Sequence, residues 1–463
     1  MNTPIRTTQG RTLKTIVAVL SALALTTSLA ACSSDSTDSS KGHVYFMNNK
    51  PEVVDQYKQL ADMYTKETGV KVDIQTGASG TYDATMTSEL AKSNAPTMFN
   101  VSGFDQFAKY QKYVEPLQDT ELFKLLNDEG KANSYTIDGK SYTLPYAAEW
   151  YGIIYNKKIL NTYCSKDYAV IHSADELTNF QTLSKVAKSM QEHKDDLGIE
   201  GAFATPGLDA SDTYRFTAHM SRIPLYFEYK DMNTTFSKTI KGTYLQNYKD
   251  LFDLELHNSP TEPSMVSSKS YDDVTAEFAL GKVAFYPNGV WSYSQIKGNE
   301  VADEDLGMLP YYMGITGEEE TGPAGVYDAS WAVNKNASKQ DKQATLDFIK
   351  WMVTNNDAKK ILSQDMGFSV PFTTFNDKAY QPKNPLTTAA RAYIEAGKTS
   401  VRSFTLPDQQ WQDDFSAALI EYAQGTGSWD TFTKAFVNGW STEWNNNEQV
   451  LGSVPQATAF DKQ

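Results

Sequence analysis

The chain has 463 residues and a formal net charge of −15, from 57 acidic and 42 basic side chains. This acidity argues against binding to nucleic acid and against electrostatic attachment to anionic lipid. The length is sufficient for two or more hydrophobic cores.

The amino terminus predicts export. A segment with three positive charges, 1–14, precedes an uncharged apolar stretch at 15–29. That stretch is shorter than the ~20 residues that span a membrane and is typical of a secretory signal. The following LAAC, at 29–32, resembles a bacterial lipobox. The resemblance implies removal of residues 1–31 and a diacylglycerol thioether on Cys32; the alternative is an ordinary signal with a chance cysteine.

The segment 32–42 follows as a run of small and polar residues. Such a run cannot bury enough surface to offset its ordering entropy, so a flexible tether is expected. The only other cysteine is Cys164. If Cys32 is acylated, no intramolecular disulfide can form.

Strands and helices alternate after the tether. Strands are predicted near 43–47, 70–74 and 96–101, and helices near 52–66 and 81–93, the first ended by Gly69. This alternation favours a parallel sheet with right-handed crossovers. Ligands bind beyond the carboxyl ends of such strands. Asn48, Asn49, 77–80 and 102–106 lie at those ends.

Later segments extend the pattern. Asp138-Gly139 predicts a hairpin turn, and 339–355 predicts a helix with one apolar face. The stretch 379–444 is expected to be mainly helical, with a break at Leu406-Pro407. There is no internal repeat, so one interwoven body is expected.

Five stretches together carry a family resemblance. They are APTMF at 95–99, LPYAAEWYGIIYNKKIL at 144–160, FALGKVAFYPNGVW at 278–291, SWAVNKNASKQDKQATLDFIKWM at 330–352 and GFSVPF at 367–372. In this order behind a lipobox, they resemble the family 1 extracellular solute-binding proteins, the maltose-binding-like receptors of carbohydrate ABC importers. The resemblance covers nearly all of the mature chain.

The resemblance implies a two-lobed α/β fold of the type II periplasmic-binding-protein class. Each lobe would hold a mainly parallel sheet flanked by helices, and the lobes would close over a ligand. The expected crossings lie near Glu149, 314–322 and 367–372. Lobe 1 would then comprise 43–149 and 320–367, and lobe 2 would comprise 150–315 and 370–455.

A sugar site needs aromatic faces for C–H surfaces and planar polar groups for hydroxyls. The aromatic candidates are Phe104, Trp150, Tyr151, Trp291, Tyr327, Trp331 and Trp411. The polar candidates are Asn48, Asn49, Asp105, Glu149, Asn288 and Asp328. Core packing is the alternative for each aromatic, and ordinary loop polarity is the alternative for each polar residue.

The predicted function is that of a lipid-anchored extracellular receptor. It would capture an oligosaccharide between its lobes and deliver it to the permease subunits of an ABC importer. It is expected to act as a monomer, without a cofactor and without catalysis, on the outer face of a cytoplasmic membrane. A lipid tether favours a Gram-positive cell.

Two alternative functions stay open. An exported lipid-anchored glycoside hydrolase would need two suitably spaced carboxyl groups, which 57 acidic residues always offer. The same receptor fold could instead bind a polyamine or an organic anion. The five histidines lack metal-ligand spacing, and neither a phosphate-binding glycine loop nor a G-x-S-x-G elbow occurs.

Overall fold

The computed structural model describes residues 41–77, 80–137, 139–451 and 454–460, without the side chains of Asp328 and Leu451. The predicted signal peptide, Cys32 and the tether up to residue 40 lie outside these ranges, as does Asp138 of the predicted hairpin turn. Among the described residues, no helix combines the length and the apolar character needed to cross a membrane.

The described strands, in chain order, are β1 (His43–Asn48), β2 (Lys71–Thr76), β3 (Met98–Val101), β4 (Thr136–Ile137), β5 (Lys140–Ser141), β6 (Leu144–Asn156), β7 (Gly201–Phe203), β8 (Val283–Gly289), β9 (Leu306–Leu309), β10 (Thr321–Val333) and β11 (Thr399–Arg402). The first α-helices are α1 (Val54–Thr68), α2 (Tyr82–Leu90), α3 (Gly103–Tyr110), α4 (Glu121–Lys124), α5 (Asp128–Ala132), α6 (Lys157–Cys164), α7 (Phe180–Glu192), α8 (Lys194–Leu197) and α9 (Arg222–Asp231). The remaining ones are α10 (Leu245–His257), α11 (Tyr271–Ala279), α12 (Tyr293–Ile296), α13 (Lys339–Thr354), α14 (Asn356–Lys360), α15 (Pro385–Glu395), α16 (Gln409–Ala423) and α17 (Trp429–Leu451).

The strands form one large mixed sheet in the order β2-β1-β3-β10-β6-β8-β7, with β11 beside β10 and β9 beside β6. β1 pairs in parallel with β2 and β3, and β7 pairs in parallel with β8. The two long strands β10 and β6 run antiparallel to each other and to β3 and β8. The predicted α/β class is confirmed, with more antiparallel pairing than the prediction of mainly parallel sheets.

The amino-terminal elements follow the hydrophobic pattern of the sequence. α1 buries Tyr57, Leu60 and Tyr64 on one face, as its 3.6-residue periodicity predicts. Gly69 ends the helix in the left-handed region at φ 76°, where the absence of a Cβ removes the steric penalty. The predicted strand–helix–strand alternation is confirmed here, with bounds shifted by a few residues.

Two large clusters of buried apolar side chains make up most of the core. The first, here called the amino-terminal core, draws on 44–147 and 329–375. The second core draws on 151–326 and 401–444. β6 and β10 contribute to both, because each strand continues from one cluster into the other. The assignment of two lobes with the predicted boundaries stays a prediction that these clusters support.

A third segment meets β6 near its middle. The backbone N–H of Ala148 donates to the carbonyl of Ser369 at 2.8 Å. Val370, Phe372 and Phe375 pack in the amino-terminal core, whereas the predicted boundary placed residues from 370 onward in the second lobe. The chain therefore still contributes to the amino-terminal core at residues 370–375.

Candidate functional site

A cavity of about 740 Å³ lies at the carboxyl ends of β1, β2 and β3. One wall is formed by the loops that follow β1 and β3, at 49–52 and at 102, 103, 105 and 106. The opposite wall comes from 211–222, from the turn after β8 and from the start of α16. Val326 and Ala329 of β10 and Glu149 of β6 also line the cavity. The polar loops of the parallel strands thus face a wall built by residues distant in the sequence.

The loop after β1 is fixed by side-chain hydrogen bonds. The amide of Asn48 donates to the carbonyl of Lys50 at 2.7 Å, and its Oδ1 accepts from the Lys50 backbone N–H at 3.1 Å. The amide of Asn49 donates to Ser102 Oγ at 2.7 Å. Asn48 is fully buried. These bonds aim the side chain of Lys50 toward the middle of β6.

Lys50 is the centre of a buried ion cluster in the cavity wall. Its Nζ lies 3.0 and 2.9 Å from the two carboxylate oxygens of Glu149 and 3.5 Å from Glu52 Oε1. Burial lowers the pKa of Lys50, but the charges of Glu149 and Glu52 outweigh it, so the pKa lies above its ordinary value. Burial raises the pKa of Glu52. The ammonium is therefore retained and already paired.

Trp291 supplies an aromatic face to the opposite wall. Its Nε1 donates to the Tyr214 hydroxyl at 3.2 Å, and that hydroxyl donates to Asn288 Oδ1 at 3.3 Å. A Cβ at Gly289 would lie 2.1–2.5 Å from the indole ring. The indole can occupy this position because residue 289 has no side chain.

A π-helix, Arg215–Met220, forms the next part of this wall. Arg215 is fully buried and pairs with Asp212, with Nε 2.8 Å from Oδ1. Its guanidinium also donates to the carbonyls of Pro287 and Thr205, each at 3.0 Å. These bonds anchor the π-helix to the end of β8, next to Trp291.

Four of the predicted site residues line the cavity: Asn49, Asp105, Glu149 and Trp291. Three more are fully buried directly behind it. Asn48 supports Lys50, and Asn288 supports Tyr214. Tyr151 stacks on the ring of His219, which lines the cavity. Their contacts with a ligand stay predictions.

Two of the aromatic residues predicted to act as platforms, that is, to stack on the face of a sugar, lie away from the cavity wall. Trp331 is fully buried in the amino-terminal core and stacks on Tyr146 at 4.5 Å. Trp411 is fully buried in the second core, where its Nε1 donates to the Phe436 carbonyl at 2.8 Å. A platform needs an accessible ring face, and neither indole has one in this structure.

Phe104, Trp150 and Tyr327 are not among the residues that line the cavity. Phe104 is half-buried, with its ring 6.2 Å from that of Phe107. Trp150 is half-buried against the apolar cluster that includes Val290. Burial and the neighbouring Glu129 raise the pKa of Tyr327. Asp328 lies in β10, and its side chain is outside the part of the chain that the structure describes.

Several cavity residues were not predicted. Lys50 could have been found, because it follows Asn48 and Asn49 at the same strand end. Tyr214, His219 and Gln412 could not, because they lie in or near helical segments with no strand-end signal. Together the wall offers amides, carboxylates, hydroxyls and an indole, a set suited to holding a polar solute with an apolar face. Among the described residues, no cluster of three or more His, Cys, Asp or Glu could hold a metal ion.

Comparison with known proteins identifies relatives along most of the chain. A sequence profile described as "Bacterial extracellular solute-binding protein" matches residues 59–392, more than two thirds of the chain. The "Multiple sugar-binding protein" of Streptococcus mutans is 23% identical over 409 residues, which cover 85% of this chain and 90% of the relative. The match therefore extends over nearly the whole length of a curated relative.

Solved structures share the fold. The GacH receptor of Streptomyces glaucescens, described in unliganded form and in complex with acarbose, superposes with a TM-score of 0.65 at 17% identity, over 90% of this chain and 100% of that one. A sugar transporter protein from Bacillus licheniformis in complex with stachyose gives a TM-score of 0.62 at 18% identity, over 87% and 100%. These likenesses confirm the predicted type II periplasmic-binding-protein fold.

Proposed function

The chain belongs to the bacterial extracellular solute-binding proteins, and from that membership we propose that it captures an oligosaccharide and delivers it to an ABC importer. The observation that carries the proposal is the cavity itself. The Trp291 indole, held by Tyr214, lies in the same 740 Å³ space as amide and carboxylate side chains. An indole covers the C–H face of a pyranose, and planar polar groups bind its hydroxyls.

The names of the relatives support a saccharide ligand. The streptococcal protein is described as binding multiple sugars, and the two solved structures are described with acarbose and with stachyose. Four acidic side chains, Glu52, Asp105, Glu149 and Asp272, line the cavity together with the cationic Lys50 and Arg222. Lys50 is paired with Glu149 and Glu52. This lining suits a polyamine as well as an uncharged solute, so the test below includes spermidine.

The proposal includes an attachment to the membrane. The chain would be held by acylated Cys32 and the tether 32–42 on the outer face of the cytoplasmic membrane, as a monomer of a Gram-positive cell. Permease subunits would contact its two lobes. Cys32→Ser should move the protein from the membrane fraction to the medium when both forms are expressed in a Gram-positive host. Equal membrane recovery of the two forms would contradict the anchor.

The function is tested by calorimetric titration of the purified protein with α- and β-linked di- to tetrasaccharides, including maltotriose and stachyose. At least one saccharide should bind with one-to-one stoichiometry and be recovered intact. Release of shorter sugars would instead indicate a glycoside hydrolase. Binding of spermidine in the absence of any saccharide binding would indicate a polyamine receptor.

A pair of tryptophan variants tests whether the cavity is the binding site. Trp291→Ala should weaken the binding of the saccharide found above by about 30-fold or more, because removal of a buried aromatic anchor costs about 2 kcal/mol. Trp351 is the matched control. It is also half-buried, but lies on α13, where its Nε1 donates to Glu67 at 3.0 Å. Trp351→Ala should leave the affinity for the saccharide unchanged. If both variants lost affinity to the same extent, the saccharide would bind outside this cavity.

A further inference from the structure

His219 lines the cavity, and its ring contacts three other aromatic rings. It lies in the π-helix Arg215–Met220 and is 9% exposed. Its ring stacks on Tyr151, with centroids 4.3 Å apart and planes 26° apart. Trp291 lies 5.0 Å away, and Tyr214 approaches edge-on at 5.2 Å. Three rings thus fix the orientation of the imidazole at the cavity wall.

The two ring nitrogens of His219 have different surroundings. Nδ1 is enclosed by protein and has no hydrogen-bond partner. Because the residue lines the cavity, Nε2 is the nitrogen that a ligand can reach. A neutral imidazole carries one N–H and one bare nitrogen. A buried N–H without an acceptor is rarer than an unpaired acceptor, so the proton belongs on Nε2.

We propose that His219 is a specificity-determining residue whose Nε2–H donates a hydrogen bond to an uncharged acceptor oxygen of the bound saccharide. This inference rests on the proposed function and names a donor that the sequence did not indicate. A hydroxyl or ring oxygen would satisfy the donor. A ligand that presents only N–H groups at this point would leave it unpaired in the closed cavity.

The charges around His219 keep the imidazole in the neutral form that this role requires. Burial is the largest effect, and the positive charges of Arg222, Arg215 and Lys50 add to it, so the pKa of His219 lies well below its ordinary value. Two of those cations are themselves paired with carboxylates: Arg215 with Asp212, and Lys50 with Glu149 and Glu52. None of the described contacts places a carboxylate against the ring of His219 itself.

The π-helical backbone of Arg215–Met220 helps to place His219 at the cavity wall. A π-helical turn inserts an extra residue into the helical hydrogen-bond ladder, and such turns are frequently found at functional sites. Here the turn lets Arg215 remain in its buried bonds with Asp212 while His219 reaches the cavity. The simpler alternative is that His219 only packs against Tyr151. That alternative requires the ring but not the donor.

Two substitutions separate the donor from the packing. His219→Phe retains a flat ring and removes the donor, whereas His219→Gln retains an N–H donor. With stachyose and maltotriose as probes, and the saccharide of the panel that binds tightest, His219→Phe should lose about tenfold or more in affinity. His219→Gln should stay within a few-fold of the unmodified protein. Thermal unfolding of each variant measures any structural damage.

Nitrogen NMR of the unmodified protein gives an independent readout. The His219 signals are assigned by their loss in His219→Gln. They should show the Nε2–H form from pH 5.5 to 8, and saccharide should shift the Nε2 signal. An Nδ1–H form, an imidazolium at pH 6, or His219→Phe binding as tightly as the unmodified protein would overturn the proposal. If the unmodified protein bound no saccharide, that result would contradict the proposed function, and this inference, which depends on it, would be contradicted as well.

Discussion

Glu255 is a carboxyl group buried in α10 of the second core. Neither of its oxygens has a hydrogen-bond partner, and it is fully buried. Burial raises the pKa of Glu255 from its ordinary 4.5 to about 8. In the folded protein this carboxyl group therefore keeps its proton at neutral pH, where the unfolded chain would lose it.

The sign of the resulting pH dependence follows from proton linkage. The raised pKa contributes stability that is fully present below about pH 4.5 and is lost as the pH rises toward 8. Glu255→Gln keeps the shape and removes the titration. It should raise the free energy of unfolding at pH 8 by an amount on the order of a few kcal/mol and flatten its decline between pH 5 and 8. Denaturant unfolding across that range measures both effects.

A second buried glutamate provides the control. The two carboxylate oxygens of Glu228 accept from the backbone N–H groups of Lys241 and Thr243, at 2.5 and 2.8 Å. Glu228→Gln places an amide where an acceptor is needed, so it should lower stability throughout the range from pH 5 to 8. Similar responses of the two variants would show that Glu255 is not a protonated, unpaired group.

Single residues were the hardest feature to predict from the sequence. Trp291, Trp331 and Trp411 were all candidates, because residue type alone does not reveal which face of a ring stays accessible. Trp291 reaches the cavity because it follows a strand end and packs over Gly289. Trp411 begins a helix whose inner face enters the second core. Only the packing of distant segments separates these cases.

The end of β8 is the element on which the aromatic wall depends. Gly289 has an extended backbone at φ −112°, which any residue can adopt. Residue 289 must therefore be glycine because of the space that the Trp291 indole occupies, and not because of its backbone conformation. Gly289→Ala should displace Trp291 and weaken saccharide binding by about tenfold, with little loss of stability. Calorimetry and thermal unfolding measure the two quantities.

Gly322 in β10 is a suitable comparison for that variant. A Cβ at this position meets one close atom, the Cβ of Tyr393 at 3.0 Å, and Tyr393 does not line the cavity. Gly322→Ala should therefore leave affinity unchanged. If it weakened binding as much as Gly289→Ala, the effect would arise from general strain in the sheet.

Elements were predicted well where the hydrophobic pattern is long. α1 and α13 follow their apolar periodicity, and β1, β2 and β3 end where turn residues begin. The three-residue β7, the strand β11 and the π-helix were not predicted. Short segments carry too few residues to show a period, and a π-turn has no composition of its own. The fold class came from the five ordered stretches rather than from any single element.

At the scale of the whole molecule, the two walls of the cavity belong to different cores. Loops after β1 and β3 pack with the amino-terminal half, whereas Tyr214, Trp291 and Gln412 belong to segments of the second core. A ligand that contacts both walls should draw them together. Saturating saccharide is therefore expected to reduce the radius of gyration in solution scattering. At a saccharide concentration that saturates the unmodified protein but lies well below the Kd of Trp291→Ala, the radius of gyration of the variant should not change. An unchanged radius of gyration for the unmodified protein would contradict closure.

The amino-terminal core is assembled from two stretches, 44–147 and 329–375. A ribosome adding roughly 5–20 residues per second needs on the order of 10–40 s to reach the second stretch after finishing the first. During that interval β3 lacks its neighbour β10, and the apolar side of the early chain stays uncovered. Residues 44–147 therefore stay incompletely packed until residues 329–375 have been synthesised.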